Sequence, residues 1–180
     1  SHEIEACKDG YIYIHDMSYR RDTMNCCLFD MANVLKDGFE MSNIWYTEPK
    51  SLQAAFCVMG DVILNTTAMQ YGGFTVPEVD TVLKKYAKMS YKKYYNEYLE
   101  IKGSEYTNEA SSYAFKKVKR ECEQGYQGIE YKLNTVGSSR GDYPFVTFTF
   151  GVDSDEFAVL ITKTMLEVHG NGQGKEGQKR

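Results

Sequence analysis

The apolar positions of this chain follow two periods. From Ser51 to Leu133 they recur every three to four residues, the spacing of one face of an α-helix. Leu52, Phe56, Met59, Ile63 and Met69 form one such stripe. It predicts a helix over Ser51–Tyr71, with Ser51 as N-cap and Gly72-Gly73 as the stop. A second helix is predicted over Glu78–Ile101, with Pro77 just before its start. A third is predicted over Asn108–Leu133, where Ala110, Ala114, Val118, Cys122, Tyr126, Ile129 and Leu133 repeat; Gly125 and Gly128 weaken its second half. Asp155–Val168 reads as a shorter helix, and His2–Lys8 as the end of one stopped by Gly10. Alternation with a period of two predicts strands at Tyr11–His15 and Phe145–Phe150. Met24–Phe29 is another short apolar run. Phe39–Lys50, with Asn43, Pro49 and few periodic positions, reads as a connecting loop.

The order strand, strand, three helices, strand, helix predicts an α/β fold. Its sheet would be thin for one domain of 180 residues, 1–180, and 170–180 is a polar stretch expected to be mobile. These features lead to the expectation of a truncated domain. At 42% apolar and 26% charged, the composition is that of an ordinary globular core. A net charge of −4 supplies no basic field for nucleic acid or anionic membrane. No apolar run nears the roughly 18 residues of a membrane span, and no secretory signal opens the chain. Five cysteines at irregular spacing form no disulfide framework and no CxxC metal pair. They fit a reducing, cytoplasmic setting. The fifteen tyrosines, many within Tyr86–Tyr98, are read as core and subunit-interface packing.

Three apparent motifs carry no chemistry in context. Gly172–Gly177 matches GxGxxG but follows a helix instead of a strand. Arg140-Gly141-Asp142 has no extracellular setting, and the sequon Asn65-Thr66-Thr67 lies inside a predicted helix. Two other segments are more informative. Tyr11–Asp16 ends a strand on His15-Asp16, placing a proton carrier beside a carboxylate, and Met24–Asp30 holds the vicinal thiols Cys26 and Cys27. Vicinal cysteines are equally compatible with small hydrophobes in a core. Asn134–Phe150 is a small, polar, Gly-bearing loop feeding a Phe/Thr strand, with N–H groups and hydroxyls for an anion or sugar. A surface turn is the plain alternative.

These two segments, with Tyr71-Gly72-Gly73-Phe74-Thr75-Val76 and three helices between them, resemble the anaerobic (class III) ribonucleotide reductases. Gly38–Asn43, Glu48-Pro49-Lys50 and Lys92–Asn96 extend the likeness over essentially the whole chain. The resemblance implies the N-terminal half of a ten-stranded α/β barrel, with three long helices packed on short strands. It implies reduction of ribonucleoside triphosphates to 2′-deoxyribonucleoside triphosphates by thiyl and glycyl radical chemistry. On it, Cys26 is the second active-site cysteine, with His15 and Asn25 beside it, and Cys27 is packing. Asn134, Thr135, Ser138, Ser139, Gly141, Pro144 and Phe145 face the substrate. Lys50 and Lys93 match cationic positions of an effector site for deoxynucleoside triphosphates at a dimer interface, with Asp61 and Tyr46 at neighbouring positions. The resemblance further implies a homodimer, an iron–sulfur, S-adenosylmethionine-dependent activase that makes the glycyl radical, a structural zinc held outside these residues, and formate as reductant. No metal ligand is expected within the chain, and the chain by itself is expected to be inactive. A competing reading makes it a helical interaction module without catalysis; a relative of the formate lyases is a third.

Overall fold

The computed structural model describes residues 4–5, 8–10, 25–41, 43–137 and 141–174. The described elements are β1 (Cys27–Leu28), α1 (Met31–Asp37), β2 (Phe39–Met41), β3 (Ile44–Tyr46), α2 (Leu52–Thr67), β4 (Phe74–Val76), α3 (Val79–Lys102), α4 (Thr107–Thr135), β5 (Val146–Phe148) and α5 (Glu156–Asn171). The fold is mixed α/β, with small sheets and long helices. The strand expected at Tyr11–His15 lies outside the described residues.

A three-stranded parallel sheet in the order β1-β4-β5 organises the chain. Parallel neighbours require crossovers. The first runs through α1, a hairpin and α2, and the second through α3 and α4. Phe74 and Val76 of the central strand are fully buried toward the helices. On the opposite face, Leu28, Thr75 and Thr147 stand in register across the sheet. Leu28 is 78% exposed there. Parallel sheets are ordinarily covered on both faces, so this one presents an open side.

The helices form as their stripes predict. Ser51 caps α2 by accepting from the Ala54 N–H at 3.2 Å. Gly103–Tyr106 turns the chain between α3 and α4, which pack together; α2 lies on α4, and α5 contacts both α3 and α4. Phe56, Met59 and Ile63 of α2 meet Val118, Cys122 and Ile129 of α4 in one buried cluster, which Leu83, Ile161 and Met165 complete. Gly125 lets α2 and α4 approach closely: a Cβ there would sit 2.6 Å from Phe56 Cγ. Many tyrosines do pack in this bundle. Tyr91 packs beside the stacked pair Phe115 and Phe157, with ring centroids at 4.9 and 5.3 Å.

Buried polar groups tie the helix ends together. The Glu121 carboxylate of α4 accepts from the Ser90 and Tyr94 hydroxyls, each at 2.6 Å, and from the Gln53 N–H at 3.3 Å. Ser90 Oγ in turn accepts from the Leu52 N–H at 2.9 Å. Two neighbouring helices therefore satisfy the N–H groups that begin α2. Burial first, then the bond to Glu121, pushes the Tyr94 phenol well above its usual range. At the start of α3, fully buried Asp80 accepts from the Gly151 N–H and the Thr162 hydroxyl, at 2.9 and 3.0 Å. This pins the exit of β5 and helix α5 to α3.

Two expectations are corrected. Phe39–Lys50 is not simply a loop: it opens with an antiparallel hairpin in which Phe39 pairs with Tyr46 and Met41 with Ile44. Three residues a side are too few to show a period, and the pair is held by stacking of Phe39 on Tyr46 at 5.0 Å. The first long helix stops at Thr67, short of Tyr71. Met69 and Gln70 donate three residues back, to Thr66 and Thr67, and this tightening turns the chain toward β4. Helix α1 and central strand β4 had no counterpart among the expected elements.

Candidate active site

The site forms where three strands begin, and the chain before β1 and the chain before β4 grip each other. The Gly72 N–H donates to the Asn25 carbonyl at 2.6 Å, and the Cys27 N–H donates to the Gly73 carbonyl at 3.0 Å. Between them the Gly73 N–H donates to Cys26 Sγ at 3.3 Å. Gly72 is required by space: a Cβ there would fall 2.6 Å from Asn25 Oδ1 and 2.7 Å from the Asn25 carbonyl oxygen, and closer still to Cys26 Sγ. The same segment joins β5 through the Phe74 N–H, which donates to the Phe145 carbonyl at 2.8 Å.

The two thiols have different surroundings, as alternation along an extended chain requires. Cys26 is exposed and Cys27 is half-buried. The Cys27 thiol donates to Gln70 Oε1 at 3.3 Å. Burial, and secondarily the Cys26 sulfur, raise the Cys27 thiol above its ordinary pKa, which keeps it a protonated donor. Gln70 is 4% exposed, and its amide nitrogen donates to the Gly72 carbonyl at 3.1 Å.

Against this turn lies an open cleft of about 410 Å³. Ala68, Tyr71 and Gly72 form one wall, and Val136, Pro144 and Phe145 another. Cys26 is not in the lining; it abuts the cleft at Gly72. Tyr71 and Phe145 are 61% and 75% exposed, so the cleft has an apolar, open rim.

Of the residues singled out from the sequence, the structure brings Cys26 and Asn25 together with the segment that carries Pro144 and Phe145. Gly141 is exposed at the start of that segment with φ +83°. Asn134 and Thr135 end α4, and their side chains donate to the carbonyls of Glu130 and Tyr131 in their own helix, at 2.7 and 2.6 Å. His15, Ser138 and Ser139 lie outside the described residues. The four effector candidates stand apart from this cleft, on four different segments. Tyr46 stacks on Phe39 in the hairpin, and Lys50 is exposed just before α2. Asp61 on α2 accepts from Lys132 of α4 at 2.8 Å. Lys93 on α3 lies 5.2 Å from the Tyr94 ring centre.

Sequence reasoning treated Gly72-Gly73 as a helix stop and did not single out Gln70. The glycine pair followed by Phe-Thr-Val was the one available signal. A buried glutamine leaves no trace in a hydropathy pattern. Among the described residues, no group of three or more His, Cys, Asp or Glu is placed to hold a metal, and no helix is long and apolar enough to cross a membrane.

Fold and site define a mixed α/β domain that presents a backbone-gripped thiol beside a cleft at the starts of its strands. A family profile described as anaerobic ribonucleoside-triphosphate reductase matches residues 1–180, and the chain belongs to that family. It is 34% identical over 176 residues to the anaerobic ribonucleoside-triphosphate reductase of Enterobacteria phage T4, covering 97% of this chain and 28% of that protein. The reductase of the same name from Haemophilus influenzae is also 34% identical, with 96% of this chain and 24% of the relative covered. The chain thus spans about a quarter of the length of these relatives. The crystal structure of the anaerobic ribonucleotide reductase from Thermotoga maritima, in complex with dATP and CTP, superposes with a TM-score of 0.56 at 15% identity. It covers 93% of this chain and 28% of that one, and supports the fold.

Proposed function

We propose that this chain forms part of the catalytic domain of an enzyme that reduces ribonucleoside triphosphates to 2′-deoxyribonucleoside triphosphates under anaerobic conditions. The observation that carries the reading is the placement of Cys26, its sulfur held by the Gly73 N–H against the wall of a cleft, in a chain of this family. The 410 Å³ cleft falls within the range of small-molecule sites. In this reading, Cys26 donates hydrogen to the lower face of a ribose from which a second thiol, as its thiyl radical, has taken the 3′ hydrogen. The 2′ hydroxyl leaves as water, and formate supplies the electrons as it becomes carbon dioxide. Asn25 and His15 assist the thiol in this reading, and Asn134, Thr135, Ser138, Ser139, Gly141, Pro144 and Phe145 are its substrate-binding residues.

The open sheet face supports a barrel: Leu28, Thr75 and Thr147 would point toward its interior, and further strands would continue from β1 or β5. The remaining parts of the reading are a homodimer and an effector nucleotide near Tyr46, Lys50, Asp61 and Lys93. The glycyl radical comes from an activase, zinc is structural, and the setting is the cytoplasm. The relative solved with dATP and CTP is the precedent for two nucleotides of these kinds.

The test is Cys26→Ser in the full-length enzyme. The hydroxyl is similar in size, but its O–H bond is too strong to yield a hydrogen atom readily to a carbon radical. Reduction should disappear while the glycyl radical content and the melting temperature stay near wild type. Turnover at the wild-type rate would overturn the reading.

A further inference from the structure

The pair Gln70 and Cys27 has no place in the function proposed above, in which Cys27 is mere packing. Its geometry says otherwise. Cys27 donates its S–H to one end of the Gln70 amide, and the other end of that amide donates to the Gly72 carbonyl. Gln70 is almost fully enclosed, so a change that strands its polar atoms is costly. The result is a closed loop of hydrogen bonds. The Cys27 N–H holds the Gly73 carbonyl, the Gln70 amide holds the Gly72 carbonyl, and the Gly72 N–H holds the Asn25 carbonyl. The Gln70 amide holds the peptide between Gly72 and Gly73 itself, the other two bonds hold the peptides on either side of it, and the N–H of the Gly72–Gly73 peptide is the one aimed at Cys26 Sγ.

We propose that Gln70 and Cys27 are positioning residues: they orient the Gly72–Gly73 peptide so that its N–H engages the Cys26 sulfur and leaves the Cys26 hydrogen free to point toward the cleft. The proposal rests on the reading of Cys26 as the reacting thiol, but its geometric core does not require turnover. A sulfur that accepts an N–H has one lone pair engaged, which restricts the directions left for its own S–H. A hydrogen-atom donor must sit within near-contact of its target, so this restriction bears on rate. Cys27 is then a thiol because it must be small, apolar in bulk and able to donate, a combination that alanine lacks and serine partly keeps.

The experiment compares Cys27→Ser, Cys27→Ala and Gln70→Met in the full-length protein. The first readout is the rate at which iodoacetamide alkylates Cys26 without nucleotide, followed by mass spectrometry of the Cys26 peptide. The second is kcat and KM for ribonucleotide reduction. Serine can still donate to Gln70, so Cys27→Ser should alkylate within about twofold of wild type. Cys27→Ala and Gln70→Met should each slow Cys26 alkylation about fivefold to tenfold, the scale of one lost hydrogen bond. Cys27→Ala should lower kcat about tenfold with little change in KM, and Cys27→Ser should restore it. A Val118→Ala variant, altered in the distant helical core, controls for lost stability and should leave alkylation unchanged. Should Cys27→Ala fold poorly, Gln70→Met carries the same test. Equal alkylation rates in the serine and alanine variants, or an unchanged rate in Gln70→Met, would overturn the inference. A slowed alkylation in an enzyme whose Cys26→Ser form still turns over would refute the catalytic reading and leave the positioning standing.

Discussion

Replacing Gly72 by alanine adds one methyl group at the point where the two halves of the site touch. Gly72 does not occupy a positive φ, so the backbone itself accepts alanine. The penalty is steric. The new Cβ would lie 2.6 Å from Asn25 Oδ1 and 2.7 Å from the Asn25 carbonyl oxygen, with Cys26 Sγ nearer still, and most of these atoms belong to a segment already tied by backbone hydrogen bonds. Relief requires the 25–27 segment to move off the turn, loosening the Gly72–Asn25 and Gly73–Cys26 bonds. Overpacking costs about 1–3 kcal/mol, and each weakened hydrogen bond adds about 1 kcal/mol. Restricting the unfolded chain returns about 0.4–1 kcal/mol. The net expectation is a loss of about 2–5 kcal/mol, measured as a lower urea midpoint at unchanged m-value. Gly73→Ala is the internal control, because its Cβ would meet nothing nearer than the Phe145 carbonyl oxygen at 4.0 Å. That variant should stay within about 0.5 kcal/mol of wild type. Wild-type stability in Gly72→Ala, or equal losses in the two variants, would refute the reasoning that contact between these segments demands glycine.

Other expectations test the surrounding structure. Gly125→Ala drives a Cβ to 2.6 Å from Cγ of the buried Phe56 ring, and nearer still to Cδ2, and should cost about 1–3 kcal/mol in urea unfolding. Gly128→Ala, with nothing within 4 Å, should gain up to about 1 kcal/mol from helix propensity. Burial first, and Glu123 second, push the Cys122 thiol up to about 12 from its ordinary 9.0. Its folded-state pKa is raised, so its contribution is complete below pH 9 and is lost as pH rises toward 12. Wild type should lose about 1 kcal/mol more than Cys122→Ala between pH 9 and 10, and parallel pH profiles for the two would contradict this. On the proposed effector site, Lys93→Ala in the dimeric full-length enzyme should weaken deoxynucleoside triphosphate binding in titration calorimetry about tenfold. Unchanged affinity would remove Lys93 from that site.

The amino-acid pattern by itself determined the four long helices, α2 to α5. The stripes through Phe56, Met59 and Ile63 and through Val118, Cys122 and Ile129 are local and long, so a period of 3.6 could be read without knowing what they face. Ser51 announced its cap for the same reason, since a cap bonds within three residues. The family's motifs were likewise local strings. Tertiary structure decided what depended on partners distant in sequence. Strand β4 is three residues long and has no readable period; it is a strand because β1 and β5 flank it in register. The hairpin at Phe39–Tyr46 exists because its two halves pair. Gly72-Gly73 looked like the end of a helix, and only the approach of Asn25 and Cys26 shows why a side chain is excluded at Gly72. Gln70 and Glu121 are polar residues that hydropathy assigns to the surface. They are buried because each meets its hydrogen-bond partners only once residues some 30 to 70 positions away have been folded against them, and a buried polar group is tolerated only on those terms.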